Sequence, residues 1–309
     1  MTKCSAPGKL ILFGEHAVVF GKPALAVAID LRITSSVSPS NQYSVNGRSM
    51  TKKHHAYISA SLDEAWKGPP INVDTVSEIP SGSGLGSSAA VTVSCIAAML
   101  ASKGKLVPEE VARKSFEVES RVQGRASPTD TSTSVHGQGV VVSPEKMDGF
   151  LWRIDKDTLS WNVHHCEVPH LKFVVGYTGI HAATGPLVAK VKNLVDREAE
   201  PKKAIERIGE IVMSGVESLR KGDKRRIGAL MSENHALLNN LGVGHPELQK
   251  LVDACSGKCY GAKLTGAGGG GSMIALTDDP AGLSRAISEA GGKPIIVEIG
   301  SEGVRMERS

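Results

Sequence analysis

Long apolar runs are missing from this 309-residue chain, and none reaches the length that spans a bilayer. The opening residues, Met1-Thr2-Lys3-Cys4-Ser5-Ala6-Pro7, lack the apolar centre of a secretory signal. Aromatic residues make up only 4%, too few for a platform on which nucleic-acid bases would stack. Blocks of like charge are missing too. The 36 Lys and Arg are scattered among 32 Asp and Glu, for a net charge of +4. That balance argues against a dedicated nucleic-acid surface and leaves a mild attraction for anionic substrates. The five cysteines are an odd number without paired spacing, which fits reduced thiols better than a disulfide framework. Cys255 and Cys259 sit four apart, but no His or second Cys pair completes a zinc set. Together these absences predict a cytoplasmic protein with neither a membrane nor a nucleic acid as partner.

Glycine, by contrast, is plentiful at 34 residues. The chain is organised around Ile79-Pro80-Ser81-Gly82-Ser83-Gly84-Leu85-Gly86-Ser87-Ser88-Ala89-Ala90. Before it, Ile71-Asn72-Val73-Asp74 alternates like a half-buried strand; after it, Ala89 to Ala101 reads as a nearly all-apolar, buried helix. Glycines at such a junction let the backbone turn tightly and approach a ligand. The unpaired N–H groups that open the helix then seat an anion. The serines add hydroxyls suited to a phosphate oxygen or a metal ion. A nucleotide phosphate site is the functional reading, and a plain strand-to-helix turn the bland one. Walker A fails, because Ser87 rather than Lys follows Gly86. Gly84-Leu85-Gly86-Ser87-Ser88-Ala89 does fit the dinucleotide fingerprint, which requires a second strand ending in an acid about twenty residues on. Glu109 and Glu110 stand there instead, following Pro108 and opening a helix.

Taken in order, Ser5 to Gly14 enters as a strand, with Glu15 and His16 at its exit, where polar groups can face a cleft. Lys9 sits within that apolar run; it either snorkels to the surface or is held by a carboxylate or phosphate. Val18–Phe20 and Ala24–Ile33 read as further strands, and His54 to Trp66 as a helix. On the helix from Pro108 to Gly124, Glu117 has Arg121 four residues on and can pair with it. Glu119 has only Ser115 and Gln123 at those distances, and shares a stripe with Ala112 and Phe116. It is either a solvated charge or a metal ligand facing a cleft. Asp130 falls in the polar turn that follows, where it either bonds backbone N–H groups or acts as a general base. Met147 to Cys166 reads as a hairpin carrying Trp152 and Trp161, and a domain boundary is expected near Pro169. A strand at Leu171–Tyr177 and helices at Leu187–Glu198, Pro201–Arg220 and Lys224–Leu241 follow. A second glycine loop, Gly266 to Gly271, precedes a strand at Ser272–Leu276.

Three blocks, in order, resemble the three motifs of the GHMP kinases. They are Pro7-Gly8-Lys9-Leu10 with Gly14-Glu15-His16, Gly82-Ser83-Gly84-Leu85-Gly86-Ser87-Ser88-Ala89-Ala90, and Thr265-Gly266-Ala267-Gly268-Gly269-Gly270. Ser127-Pro128-Thr129-Asp130, eleven residues after Glu119, resembles the catalytic segment of the mevalonate kinases, the archaeal ones most of all. The resemblance covers the whole chain. It implies an α+β, two-domain fold: residues 1–168 with a left-handed βαβ unit, and a ferredoxin-like domain over 169–309. It also implies ATP and mevalonate as ligands, Mg²⁺ as cofactor, isoprenoid biosynthesis as the setting and a homodimer as the assembly. Residue by residue, Ser81, Gly82, Ser83, Gly84, Leu85, Gly86, Ser87 and Ser88 match the loop around the ATP phosphates. Ser88 and Glu119 match the metal ligands, Asp130 the catalytic base, and Lys9 the residue beside it that favours its charged form. Glu15, His16, Ala267 and Thr184 match positions near the substrate. Some members carry an Arg shortly before that Thr, where this chain has Ala182-Ala183.

The assignment agrees with the chemistry read from the residues, since phosphoryl transfer needs held phosphates, charge neutralisation and an oriented alcohol. Rival readings are a GHMP kinase acting on phosphomevalonate, homoserine or a sugar, a non-catalytic sensor of the same fold, and a dinucleotide-dependent oxidoreductase.

Overall fold

Strand β1 (Thr2–Phe13) and the long strand β2 (Ala24–Pro39) run antiparallel along their whole lengths. Their inward residues, Leu10, Leu12, Leu25, Val27 and Ile29 among them, are buried completely. In this computed structural model, which describes residues 1–124, 127–180 and 184–308, the other edge of β2 is shared by two strands. Its first residues pair with β6 (Gly139–Ser143) and its last with β5 (Ile71–Ser77). Outside these lie β3 (Ser44–Val45) and β4 (Arg48–Ser49) on one flank, and the hairpin β7 (Phe150–Lys156) and β8 (Leu159–Cys166) on the other. β3 and β4 are joined by Asn46-Gly47, both at positive φ, the two-residue turn that suits the twist of a hairpin.

Helices α1 (Ala56–Ala65), α2 (Ser87–Ala101), α3 (Pro108–Gln123) and α4 (Thr129–His136) pack together beside this sheet. α2 is central: almost every side chain from Ala89 to Leu100 is buried, as its lack of a polar face requires. Each fully buried Val or Ile there contributes about 1.5–3 kcal/mol. α3 opens with Pro108 in its first turn and Glu109 and Glu110 at its positive end, and stops at Gly124.

The second sheet runs β10 (Gly261–Thr265), β11 (Ser272–Leu276), β9 (Lys172–Tyr177), β12 (Lys293–Glu298), all antiparallel. In chain order β9 precedes α5 (Thr184–Arg197), α6 (Ala199–Arg220), α7 (Lys224–Asn240) and α8 (Pro246–Ala254), and α9 (Pro280–Glu289) lies between β11 and β12. That succession and strand order are those of a split βαβ, ferredoxin-like unit. The last strand, β13 (Arg305–Met306), returns to pair with β1 of the first sheet.

Three local expectations are corrected. Val18–Phe20 is not a strand but part of a 3₁₀ turn over Ala17–Phe20. Gly14, His16 and Gly21 all have positive φ around it, which prevents extension. Asp130 lies in the first turn of α4 rather than in a polar turn before β6; burial of Thr131, Ser132 and Thr133 overrides their weak helix preference. Glu117 and Arg121 do not pair with each other. Glu117 accepts from Lys156 on β7 at 2.6 Å and Arg121 donates to Glu64 on α1 at 2.8 Å, because neighbouring elements offer closer partners.

Candidate functional site

β1 has an irregularity between Pro7 and Lys9, at Gly8, and bulges of this kind re-aim the side chain that follows. A Cβ at Gly8 would stand 2.7 Å from the Leu85 carbonyl, so only glycine lets β1 approach the loop this closely. The Lys9 amide donates to that same carbonyl at 2.9 Å. The Lys9 side chain, 3% exposed, then runs past Gly86, whose missing Cβ would meet Lys9 Cγ at 2.8 Å. Its ammonium donates to the Gly84 carbonyl at 3.2 Å and pairs with Asp130 Oδ2 at 3.1 Å. Of the two readings of Lys9, capture by a carboxylate is the one observed. Asp130 itself stays partly open, at 29% side-chain exposure, and lines a cleft of about 660 Å³.

Glycines 82, 84 and 86 all take positive φ, and the loop they shape leads into the N-terminus of α2 with Ser87 and Ser88 facing the cleft. Opposite stands Glu119 on α3, only 2% exposed, with Oε1 lacking any hydrogen-bond partner. Burial first, then the Asp130 charge, pushes its carboxyl up to about 7, while the Ser88 hydroxyl opposes the rise. A buried carboxylate with an unsatisfied oxygen beside a hydroxyl fits a hard divalent cation. Among the described residues no three His, Cys, Asp or Glu side chains converge to cage a metal. A cation here would therefore share its coordination with a phosphate-bearing ligand, the usual habit of magnesium.

The far wall is built where the two sheets meet. Glu15, 2% exposed, is bonded through Oε1 to the fully buried Lys263 of β10 and through Oε2 to Asn234 Nδ2 of α7 at 3.1 Å. His16 takes φ 61° and its Nε2 donates to the Ala267 carbonyl at 2.9 Å, across 251 residues of sequence. Its Nδ1 is buried and unpartnered, and desolvation lowers its pKa, opposed by the bond to Ala267 and the Glu15 charge.

The cleft thus gathers Lys9, Glu15, His16, Gly82, Gly84, Gly86, Ser87, Ser88, Glu119, Asp130 and Ala267. Three loop residues stand back from it. Ser81 is exposed outside the cleft, the Ser83 hydroxyl donates to the Pro80 carbonyl at 2.7 Å, and the Leu85 side chain is buried in the core. Thr184 opens α5, and its side chain lies outside the described residues, as do Ala182 and Ala183. Sequence reasoning missed Tyr57 and Gln123, which line the cleft beside Ser88, and the buried pair Lys263 and Asn234. No motif marks Tyr57 or Asn234; for Lys263, a cation inside the apolar strand before the second glycine loop was a readable sign. Another hollow of about 480 Å³ lies between α1, α3 and β7. Its cations are spent on their own neighbours, Arg113 on Glu109 at 2.8 Å and Lys114 on Glu64 at 3.8 Å.

Comparison with known proteins places this geometry in context. Residues 52–138 match the family model "GHMP kinases N terminal domain" and residues 216–293 match "GHMP kinases C terminal". A mevalonate kinase of Thermococcus sibiricus is 36% identical, over 98% of this chain and 97% of its own. One of Archaeoglobus fulgidus is 35% identical over 98% and 99%. Among solved structures, L. major mevalonate kinase in complex with R-mevalonate superposes with a TM-score of 0.79 at 25% identity, covering 97% of this chain and 96% of that one.

Proposed function

The chain belongs to the mevalonate kinases of the GHMP kinase superfamily, and on that footing we propose how its cleft performs the reaction. It transfers the terminal phosphoryl group of ATP to the C5 hydroxyl of (R)-mevalonate, giving 5-phosphomevalonate and ADP for isoprenoid synthesis. One P–O bond to the ADP leaving group breaks, one P–O bond to C5 forms, and the hydroxyl proton passes to a carboxylate. We assign that acceptor to Asp130. The observation that carries the assignment is the Asp130–Lys9 pair, 3.1 Å apart at the mouth of the glycine loop.

Residues 82–88 are the proposed seat of the phosphates, through backbone N–H groups and the hydroxyls of Ser87 and Ser88. Magnesium is the proposed cofactor, held by Ser88 and Glu119; when bound it neutralises charge on the phosphates. Lys9, beside both Asp130 and the loop, stabilises negative charge that moves toward the leaving group. Glu15, His16, Ala267 and Thr184 are proposed to border mevalonate. We further assign residues 1–168 and 169–309 to two domains, which the separate four-stranded sheet formed within 172–298 supports. No helix among the described residues is long and apolar enough to cross a membrane. A cytoplasmic location and a homodimer complete the proposal.

Incubation with MgATP and a panel of alcohols tests the substrate: mevalonate is expected to turn over, and homoserine, galactose and phosphomevalonate far less. No turnover of mevalonate would sink the reading. Asp130→Ala is expected to lower kcat by about 10²–10⁴-fold, the range of a general base, while ATP still shifts the melting temperature. Near wild-type turnover in that variant would remove Asp130 from its role.

A further inference from the structure

Glu15 is held by an ionic cluster whose other members, Lys263 and Asn234, the mechanism above does not use. Lys263 and Asn234 are both 0% exposed and lie outside the cleft lining. Lys263 donates to Glu15 Oε1 and to the Leu264 carbonyl at 2.6 Å, while Asn234 Nδ2 takes Glu15 Oε2 at 3.1 Å. Both oxygens of Glu15 are thereby occupied. A buried ion pair is a poor device for stability alone, since well-packed apolar residues of the same volume do as well or better. Its location suggests another use. The next residue, His16, holds φ 61° and ψ −40°, a conformation that a side-chain-bearing residue adopts only when its surroundings impose it. On the other side of His16, the Ala17 amide donates back to the Glu15 carbonyl at 2.7 Å and the Val18 amide to Gly14 at 3.2 Å. The turn is therefore fixed through Glu15.

The ring of His16, carried on that turn, takes its orientation from the bond to Ala267. The Ala267 carbonyl can only accept, so Nε2 carries the hydrogen and Nδ1 of the neutral ring is a bare lone pair. That lone pair is buried and unpartnered. A bare lone pair in that position can only accept a hydrogen bond, so a change of tautomer or protonation there reports a change in the ring's surroundings.

We propose that Lys263 and Asn234 are positioning residues for substrate recognition: they clamp Glu15, and through it hold the cleft-lining His16 in one backbone conformation and one ring tautomer. The inference rests on the mevalonate reading for the identity of that substrate, but the clamp and the ring tautomer do not depend on it. Lys263 and Asn234 come from β10 and α7, whereas Glu15 follows β1, so the clamp also fixes the two sheets relative to each other at the substrate end of the cleft.

The test uses the full chain labelled with ¹⁵N, with the His16 ring signals identified by their loss in His16→Gln. In the wild type near pH 7.5 the ring is expected as a single Nε2-protonated tautomer. An Nδ1-protonated or charged ring there overturns the proposal whatever the variants do. Asn234→Ala removes one clamp without stranding a charge; the expected result is a mixed tautomer signal and a KM for mevalonate raised at least fivefold. The KM for ATP and kcat should stay within about twofold. A lower melting temperature with the tautomer and the mevalonate KM unchanged would reduce the cluster to a structural role and refute the proposal. Lys263→Arg, which keeps the charge, is expected to retain more mevalonate affinity than Lys263→Met; equal losses would count against the clamp. If the wild type turns over no mevalonate, the substrate reading fails, while the tautomer result still decides the clamp.

Discussion

Glu119 is the buried residue whose charge sits least easily with the fold. Its carboxyl is 2% exposed with an unpartnered oxygen, and burial moves it from 4.5 to about 7. A carboxyl whose folded pKa is raised supports the fold fully below 4.5 and loses that support as pH rises toward 7. The shift corresponds to about 3 kcal/mol at pH 8 without a cation to compensate. Glu119→Gln is therefore expected to be more stable than the wild type at pH 8 by that order, with the gap closing toward pH 4.5. Urea unfolding of the ligand-free protein at both ends of the range measures it, and a constant gap would contradict it. The same variant is expected to lose the stabilisation that magnesium adds in the presence of an ATP analogue. In the sequence Glu119 was legible as a carboxylate without a helical partner at four residues. Its burial was not, because that depends on α1 and α2 closing over α3.

At the scale of elements, α4 decides where Asp130 points, and its far end is tied down by histidines. His136 Nε2 lies 2.8 Å from His165 Nδ1 of β8, and one of the two must donate. Desolvation first, then His165, lowers the His136 pKa to about 4. A histidine depressed in the folded state stabilises above its unfolded value of 6.5, and that contribution is lost as pH falls from 6.5 toward 4. The melting temperature is expected to drop over that interval, and His136→Gln to make the drop shallower, as a fluorimetric pH series would record. An unchanged acid limb would acquit the pair. The helix itself escaped the sequence reading: Thr, Ser and Asp suit turns when judged locally, and only packing against α2, α3 and β1 makes Thr129–His136 helical. The turn at Asn46-Gly47, in contrast, is set by local chemistry, since both residues tolerate the positive φ it needs.

For the whole molecule, the cleft exists because two sheets meet along β1 and β10, and because the tail comes back to the first of them. Arg32 on β2 holds that return. It donates to the Glu302 and Gly303 carbonyls at 2.7 Å each, to the Ser5 hydroxyl at 2.8 Å and to the Ser5 carbonyl at 3.1 Å. Arg32→Met is expected to cost about 3 kcal/mol, since several acceptors lose a charged donor at once, and to loosen amide-exchange protection at residues 301–307. Protection unchanged there would show that β13 holds itself. By itself the sequence determined the glycine loop, the amphipathic or buried character of most helices, and the ordered motifs that carry Lys9, Ser88, Glu119 and Asp130. These follow from local chemistry: glycine permits the turn, periodicity marks the buried face, and spacing marks the helix surface. Only the tertiary structure decided that Lys9 reaches Asp130 across 121 residues, that His16 meets the Ala267 carbonyl, and that Lys263 and Asn234 occupy both oxygens of Glu15. Those pairings form between segments far apart in the chain. Which charge meets which is set by how the sheets and helices pack, and no local pattern encodes it.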